Sequence, residues 1–343
     1  MEVNQELNTE QNTWRKIVAQ YQNPDTRRSV WQLVNSLGGY AILWVLMALS
    51  LKVSYWLTLA IAPFAAGMAI RLFIIFHDCG HGSFFKSSKA NHVIGTITGI
   101  LMFTPYFLWR QSHAIHHATA GNLDKRGVGD VWTMTVNEYL EASPWKRFVY
   151  RAYRNPILMF GLGPVIMFVV SQRIPTTKYK KREQNSVHLT NLGIVLLAAA
   201  ISMVIGFKAY LMIQLPVIWI ASSAGVWLFY VQHQFEGVYW DRAKEWDFVK
   251  AGLEGSSFYK LPKVLQWFTG NIGFHHIHHL SPRIPNYKLE TCHEENEIFQ
   301  IEPVDLLSSL KSLSYRLWDE ANGRLIHFRQ LKNLKTDPVQ SSY

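Results

Sequence analysis

The chain of 343 residues holds only two cysteines, Cys79 and Cys292, and 17 % charged residues, where soluble proteins carry about 25 %. Cysteines so few and so far apart exclude a disulfide-stapled secreted domain and point to free thiols on a reducing side. Acidic residues are missing altogether from Trp31 to Phe76 and from His188 to Gln234, which removes the carboxylates that a solvated helix face would carry. There is no internal repeat and no low-complexity tract. The first thirty residues are polar and of both signs, so the expectation is insertion through the chain's own spans and not through a secretory leader. With 49 % hydrophobic and 14 % aromatic residues, a disordered or collagen-like chain is also excluded.

The acid-free stretches are filled by four apolar runs, Leu33–Leu51, Tyr55–Phe76, Leu189–Phe207 and Ala209–Val231. At 1.5 Å per residue such runs reach about 28–35 Å as helices, enough to cross a hydrocarbon core of about 30 Å. Arg71, near one end of its run, is expected to snorkel to the interface. Two further runs, Val93–Trp109 and Ile157–Ser171, are ambiguous by length. The second carries Gly161, Gly163 and Pro164 and is expected to be re-entrant or buried against the bundle.

The net charge of +10 would suit nucleic acid or an anionic lipid surface, and the placement of the basic residues favours lipid. The two short connections, Lys52–Ser54 and Lys208, hold two basic residues. Four precede Trp31, fourteen lie between His77 and Ser186, and thirteen follow Val231. Positive residues stay inside, so both termini and the large middle loop are expected in the cytosol. The expected fold class is all-α: an integral membrane protein with four transmembrane helices and a cytosolic helical cap. A cytosolic segment 1–32 and a tail 290–343 are expected to flank a membrane domain 33–289. Within the middle loop, Ser143-Pro144 reads as an N-cap with proline at the first helical position. Trp145, Phe148, Val149 and Ala152 then share one face and Lys146, Arg147, Arg151 and Arg154 lie elsewhere, as in a helix lying in the interface.

Ten of the fourteen histidines fall in three boxes and one isolated site near cytosolic ends of the spans, and nine of them, all but His276, keep ligand spacing. The boxes are His77-Asp78-Cys79-Gly80-His81, His113-Ala114-Ile115-His116-His117 and His275-His276-Ile277-His278-His279; His233 stands alone after the fourth run. Residues i and i+4 of a helix lie about 6 Å apart on one face, so His77 and His81 reach a single metal. In a box spaced i, i+3, i+4, two imidazoles converge on one ion while the third serves another. His276 breaks that spacing and is expected to support the others from outside. Neutral imidazole suits Zn, Cu, Fe and Ni. Nine donors are too many for one ion, and two ions with four or five nitrogens each fit. A closed structural zinc site takes four ligands, usually with thiolate, and the cysteines are not clustered for that. Asp78, Asp130 and Glu236 are candidate acceptors for imidazole N–H groups. His92, His188, His293 and His327 read as ordinary polar histidines.

These boxes resemble those of the membrane fatty acid desaturases. His77 through Phe84 resembles that family's opening motif, His113–His117 its second box and His275–His279 its third. Gln232-His233-Gln234-Phe235-Glu236, Asn122 through Gly127 and the stretch Pro282 through Tyr287 are similar to bacterial members acting on lipid-bound acyl chains. The resemblance runs from about Arg71 to Leu289. It implies two iron ions in a non-haem di-iron site, with His77, His81, His113, His116, His117, His233, His275, His278 and His279 as ligands. It further implies use of O2 to place a cis double bond in an acyl chain, with electrons from a separate ferredoxin or cytochrome b5. No His-Pro-Gly-Gly of a fused cytochrome b5 domain occurs. A bacterial plasma membrane and a phospholipid substrate follow from the same likeness. Two departures set the chain apart from the animal acyl-CoA type: Phe229 stands where some of those members carry asparagine, and the first box has three intervening residues, not four.

Topology supports this independently. The boxes share one site only if an even number of spans separates each pair, so neither Val93–Trp109 nor Ile157–Ser171 crosses. The nearest competing reading is a di-iron hydroxylase of alkanes, sterols or carotenoids. A divalent-metal transporter is a different class, but such sites favour carboxylates near the midplane of broken helices, and these spans carry none. Aromatic residues of Phe103–Trp109 are candidates for lining an acyl tunnel.

Overall fold

The computed structural model describes residues 13–331; the outer ends of the N-terminal segment and of the tail, 1–12 and 332–343, lie outside the described residues. Four helices are long and apolar enough to cross a membrane: α1 (Thr26–Ser50), α2 (Tyr55–His81), α6 (Lys181–Ile205) and α7 (Phe207–His233). Asp25 caps α1 by accepting from the Arg27 and Arg28 amides, and Ser54 caps α2 by accepting from Trp56. Gly206, at φ +86°, is the whole connection between α6 and α7, a backbone state open to glycine without Cβ strain. Every one of these helices runs past its apolar stretch at the same end of the bundle, as residues 26–32, 77–81, 181–188 and 232–233. At 27 residues α2 is about 40 Å long, so its last turns stand beyond a hydrocarbon core of about 30 Å.

The ambiguous run 93–109 is two helices, α3 (Ser88–Leu101) and α4 (Tyr106–Thr119), which meet at 102°. Pro105 opens α4 and disfavours helix in the residue before it, and Phe103 takes φ +55°. The Arg173 guanidinium donates to the Phe103 carbonyl at 2.5 Å and secures that turn. The run 157–171 is likewise not a straight span. Helix α5 (Pro144–Tyr153), opened by Ser143 and Pro144, bends by 59° into the irregular helical segment Leu158–Arg173. Phe160 packs on Trp227 and Tyr230 of α7, while Ile157, Leu162, Ile166 and Val170 remain exposed.

Two expectations are corrected here. Arg71 does not snorkel to solvent. It is buried, with its guanidinium 4.0 Å over the Trp267 ring and donating to the Trp267 carbonyl, because the short helix α8 (Lys263–Phe268) covers α2 at that level. Arg154 does not join the polar face of α5. As the C-cap it turns inward and donates to Tyr230 Oη, Gln234 Oε1 and the Tyr315 carbonyl at 2.8–3.1 Å.

Beyond α7 the chain builds the cap from short elements, among them α9 (His275–Leu280) and α10 (Asn286–Glu294). The segment after residue 290 is packed through to Leu331. Its strand Leu317–Asp319 pairs in parallel with Met134–Thr135 and antiparallel with Arg324–Ile326, with Leu317 opposite both Met134 and Ile326. The N-terminal helix, residues 13–21, lays Trp14 and Val18 in one apolar cluster with Ile277, Leu280 and Cys292. Both cysteines are free and buried.

Helices α3 and α4 approach closely because residue 95 lacks a side chain: a Cβ on Gly95 would lie 2.1 Å from the ring of Tyr106, which is fully buried and donates to the Cys79 carbonyl at 2.6 Å. Gly95→Ala is expected to cost about 1–3 kcal/mol of stability through overpacking. Gly38→Ala, where nothing lies within 4 Å, should leave the thermal midpoint in detergent unchanged or slightly raised.

Candidate metal centre

The three boxes and His233 come from four separate segments that end at the same level. The last turn of α2 carries His77 and His81 and is stopped by Gly82 in the left-handed conformation at φ +72°. Helix α4 carries His113, His116 and His117. His233 is the last residue of α7, and α9 is a single buried helix that holds the third box.

On a helix, i+4 is displaced by about 40° and i+3 by about 60° in the opposite sense, so adjacent members of a box face different ways. The side chains divide accordingly. His77, His81, His113, His117 and His278 form one group, and His116, His233, His275 and His279 the other, with donor atoms in each group within 4.8 Å of one another. Helix α4 gives its i, i+4 pair to the first group and its middle histidine to the second, and α9 does the reverse. Within the groups, Nε2 of His117 stands 3.1 Å from Nε2 of both His113 and His278. Nε2 of His233 stands 3.1 Å from that of His116 and 3.0 Å from that of His275.

These donors fit metal ions. Donors at right angles around an ion with bonds of about 2.1 Å stand about 3.0 Å apart, and donors at the tetrahedral angle about 3.4 Å. The observed spacing matches the first case. Nε2 of His81 and of His279 is buried without a hydrogen-bond partner, a state that costs about 1–3 kcal/mol unless a cation takes the lone pair. Burial, reinforced by neighbouring imidazoles, pushes His113, His117, His275, His278 and His279 well below the ordinary imidazole pKa and leaves them as neutral donors.

Three ring orientations are set from behind. Asp78 Oδ1 lies 3.0 Å from His77 Nδ1, Asp130 Oδ1 2.6 Å from His116 Nδ1, and the Gly255 carbonyl 3.3 Å from His233 Nδ1. Each contact turns Nε2 toward the group. Glu236, the third candidate acceptor, touches no imidazole; it is exposed and pairs with Lys311 at 3.2 Å. His276 points away from both groups, with its Nε2 2.8 Å from the Phe299 carbonyl, and braces α9 from its far side.

Several residues that shape the site had no role assigned beside the histidines from the sequence. Asn286 donates its backbone N–H and its Nδ2 to Asp78 Oδ2 at 2.7 and 2.8 Å, and accepts from Gln32 of α1 at 3.0 Å. The signal available for it was its place in the Pro-Asn pair just after the third box. Trp109 stacks on His113 with centroids 4.2 Å apart and also lies 5.5 Å from His77. Gly80 makes room for it, since a Cβ there would meet the indole at 2.8 Å. Phe229 lies 5.1 Å from both His116 and His233 and gives the second group an apolar wall.

Two expectations follow. Asp78→Ala and Asp130→Ala should each weaken metal retention about 10- to 100-fold under chelator challenge, and Glu236→Ala should not. Because burial depresses the five imidazole pKa values, the unfolded chain binds more protons below about pH 6.5 than the folded one. The stability of chelator-treated protein should therefore be full above that pH and fall as pH drops further. A thermal midpoint independent of pH between 8 and 5 would contradict this.

The comparisons agree with the geometry. The family model described as fatty acid desaturase matches residues 54–300, a span that includes all three boxes and His233. The chain is 51 % identical over 320 residues to a fatty acid desaturase of Bacillus subtilis (strain 168), which covers 93 % of this chain and 91 % of that protein. It is 29 % identical over 249 residues to an sn-1 oleoyl-lipid 12-desaturase of Synechocystis sp., covering 69 % and 68 % of the two chains. An sn-1 acyl-lipid omega-3 desaturase (ferredoxin) of Synechocystis sp. is 27 % identical over 237 residues, covering 65 % and 62 %. Donor sets, helix ends and sequence likeness converge: the chain belongs to the fatty acid desaturase family.

Proposed function

We propose that this protein is a multi-pass membrane desaturase whose two histidine groups hold a pair of irons and which places a cis double bond in the acyl chain of a phospholipid. The observation that carries the reading is the convergence of nine imidazoles from four segments into groups of five and four, buried except for the half-buried His81 and His113. Iron at both groups, when bound, supplies the activation of O2 and the removal of two hydrogens from neighbouring methylenes, with water as the other product. What the protein contributes is position and dryness. A saturated chain offers no polar handle at the reacting carbon, so placement rests on apolar contact. Trp109, Phe73 and Phe76 form a continuous aromatic wall beside His77 and His113. Phe229 limits water at the second group, where a narrow opening of about 20 Å³ between Asn122, Arg126, Asp130 and Trp240 reaches His116 and His233.

The likeness to bacterial members supports a plasma-membrane location, and the distribution of basic residues supports the site and both termini in the cytosol. Electrons come from an external carrier of the ferredoxin or cytochrome b5 type; one similar protein carries ferredoxin in its name.

The decisive experiment expresses the chain in a host and follows labelled acyl lipid by gas chromatography. An alkene with O2 dependence is expected; hydroxylated product without alkene would move the assignment to the hydroxylases. His116→Ala and His278→Ala, one from each group, should each abolish product while leaving membrane insertion intact. His327→Ala, well away from both groups, should retain full activity, and loss of product there would contradict the assignment.

A further inference from the structure

Helix α5 carries a feature that the reaction does not use. A cleft of about 470 Å³ opens beside it, walled by Tyr139, Phe148 and Phe328, with Arg147 and Arg151 in its lining. The two arginines are i and i+4 on the helix and so share a face. Both guanidiniums are held in place. Arg147 donates Nε to the Ala142 carbonyl at 2.8 Å and Nη2 to the Leu140 carbonyl at 2.7 Å. Arg151 donates Nε to Tyr139 Oη at 2.5 Å, and its guanidinium lies 5.7 Å from the Tyr139 ring and 4.9 Å from that of Phe328. Among the described residues neither arginine forms an ion pair with a carboxylate. Two positive groups fixed by neutral acceptors, with terminal N–H groups to spare, make a receptor for an anion with several oxygens.

The surroundings say where that anion resides. Trp145 and Phe148 on α5 are 70 % and 61 % exposed, and Ile157 just beyond is 76 % exposed. The chain then bends into the apolar segment Leu158–Arg173, packed on α7. Exposed aromatics beside arginines, at the entry of an apolar segment, are the pattern of a helix at the lipid–water boundary. The anion found at that depth is the phosphodiester of a glycerophospholipid.

We propose that this cleft binds one membrane phospholipid, its phosphodiester on Arg147 and Arg151 and its glyceryl region against Tyr139, Phe148 and Phe328. The lipid seats the cap on the bilayer. The inference rests on the membrane placement given above and not on desaturation.

The test uses full-length protein in detergent and titrates dihexanoyl phosphatidylglycerol, dihexanoylglycerol and inorganic phosphate separately, with binding read by native mass spectrometry. Wild type should bind the phospholipid and neither of the other two. R147Q/R151Q should weaken binding by about tenfold or more. R151Q alone should weaken it as well; Arg151 is exposed and makes one hydrogen bond, so this variant keeps the fold even if the double variant does not. K146Q, exposed and outside the cleft lining, should bind as wild type does. Binding by R151Q within twofold of wild type, equal binding of dihexanoylglycerol, or displacement of the lipid by an equal concentration of phosphate would each overturn the proposal. No turnover is read, so wild type that binds phospholipid yet forms no alkene would defeat the desaturase reading alone. Wild type that desaturates but fails these tests would defeat this one alone.

Discussion

Nine imidazoles gathered into two groups, with donor atoms within 4.8 Å of one another and six of them in contacts near 3 Å, are the constraint around which the rest of this protein is arranged. A buried nitrogen without a partner is unfavourable by about 1–3 kcal/mol, a cost that a cation taking up the lone pair removes. Metal bound at these groups would therefore add to the stability of the folded cap. The imidazoles are kept neutral by burial, so their lone pairs compete only weakly with protons at neutral pH.

Holding donors at that spacing requires rigid supports, and helices emerging from a bundle supply them. The spans overrun the bilayer at one end, α3 and α4 double back at 102°, and the histidines therefore sit on helical turns and not on loops. Behind them a polar relay runs from Gln32 through Asn286 to Asp78 and His77, so the first span, which carries no ligand, still determines the orientation of a ring. Arg154 does similar work for the end of α7. Its charge has no carboxylate partner among the described residues and meets neutral oxygens from three segments, at residues 132–133, 230–234 and 315. Such a buried cation stabilises by joining parts, since removing its partners would leave it stranded.

Most of the lipid-facing architecture was legible in the sequence because it depends on composition. Apolar runs of span length and the absence of acids both follow from the solvent properties of the bilayer. The i, i+3, i+4 spacing placed neighbouring histidines in different groups, since that is a property of any helix. Contacts between distant segments were not legible. Arg71 and Arg154 look like interfacial charges in one dimension, and only the packing of α8 and of the C-terminal segment against them makes them buried. Glu236 is two residues from Gln234 and three from His233, yet its side chain points to Lys311, because the helix has already ended at His233.

The sequence by itself determined that this is a helical membrane protein with two metal groups' worth of imidazoles at one end of its spans, for periodicity and hydropathy act locally. The tertiary structure decided how the nine donors divide into five and four, that α9 hands them out in the opposite order to α4, and that Asn286, Trp109 and Gly80 shape the site. Those outcomes depend on the angles at which short helices meet. Such angles come from packing between residues more than two hundred positions apart, as Asp78 and Asn286 are, and no local pattern encodes them.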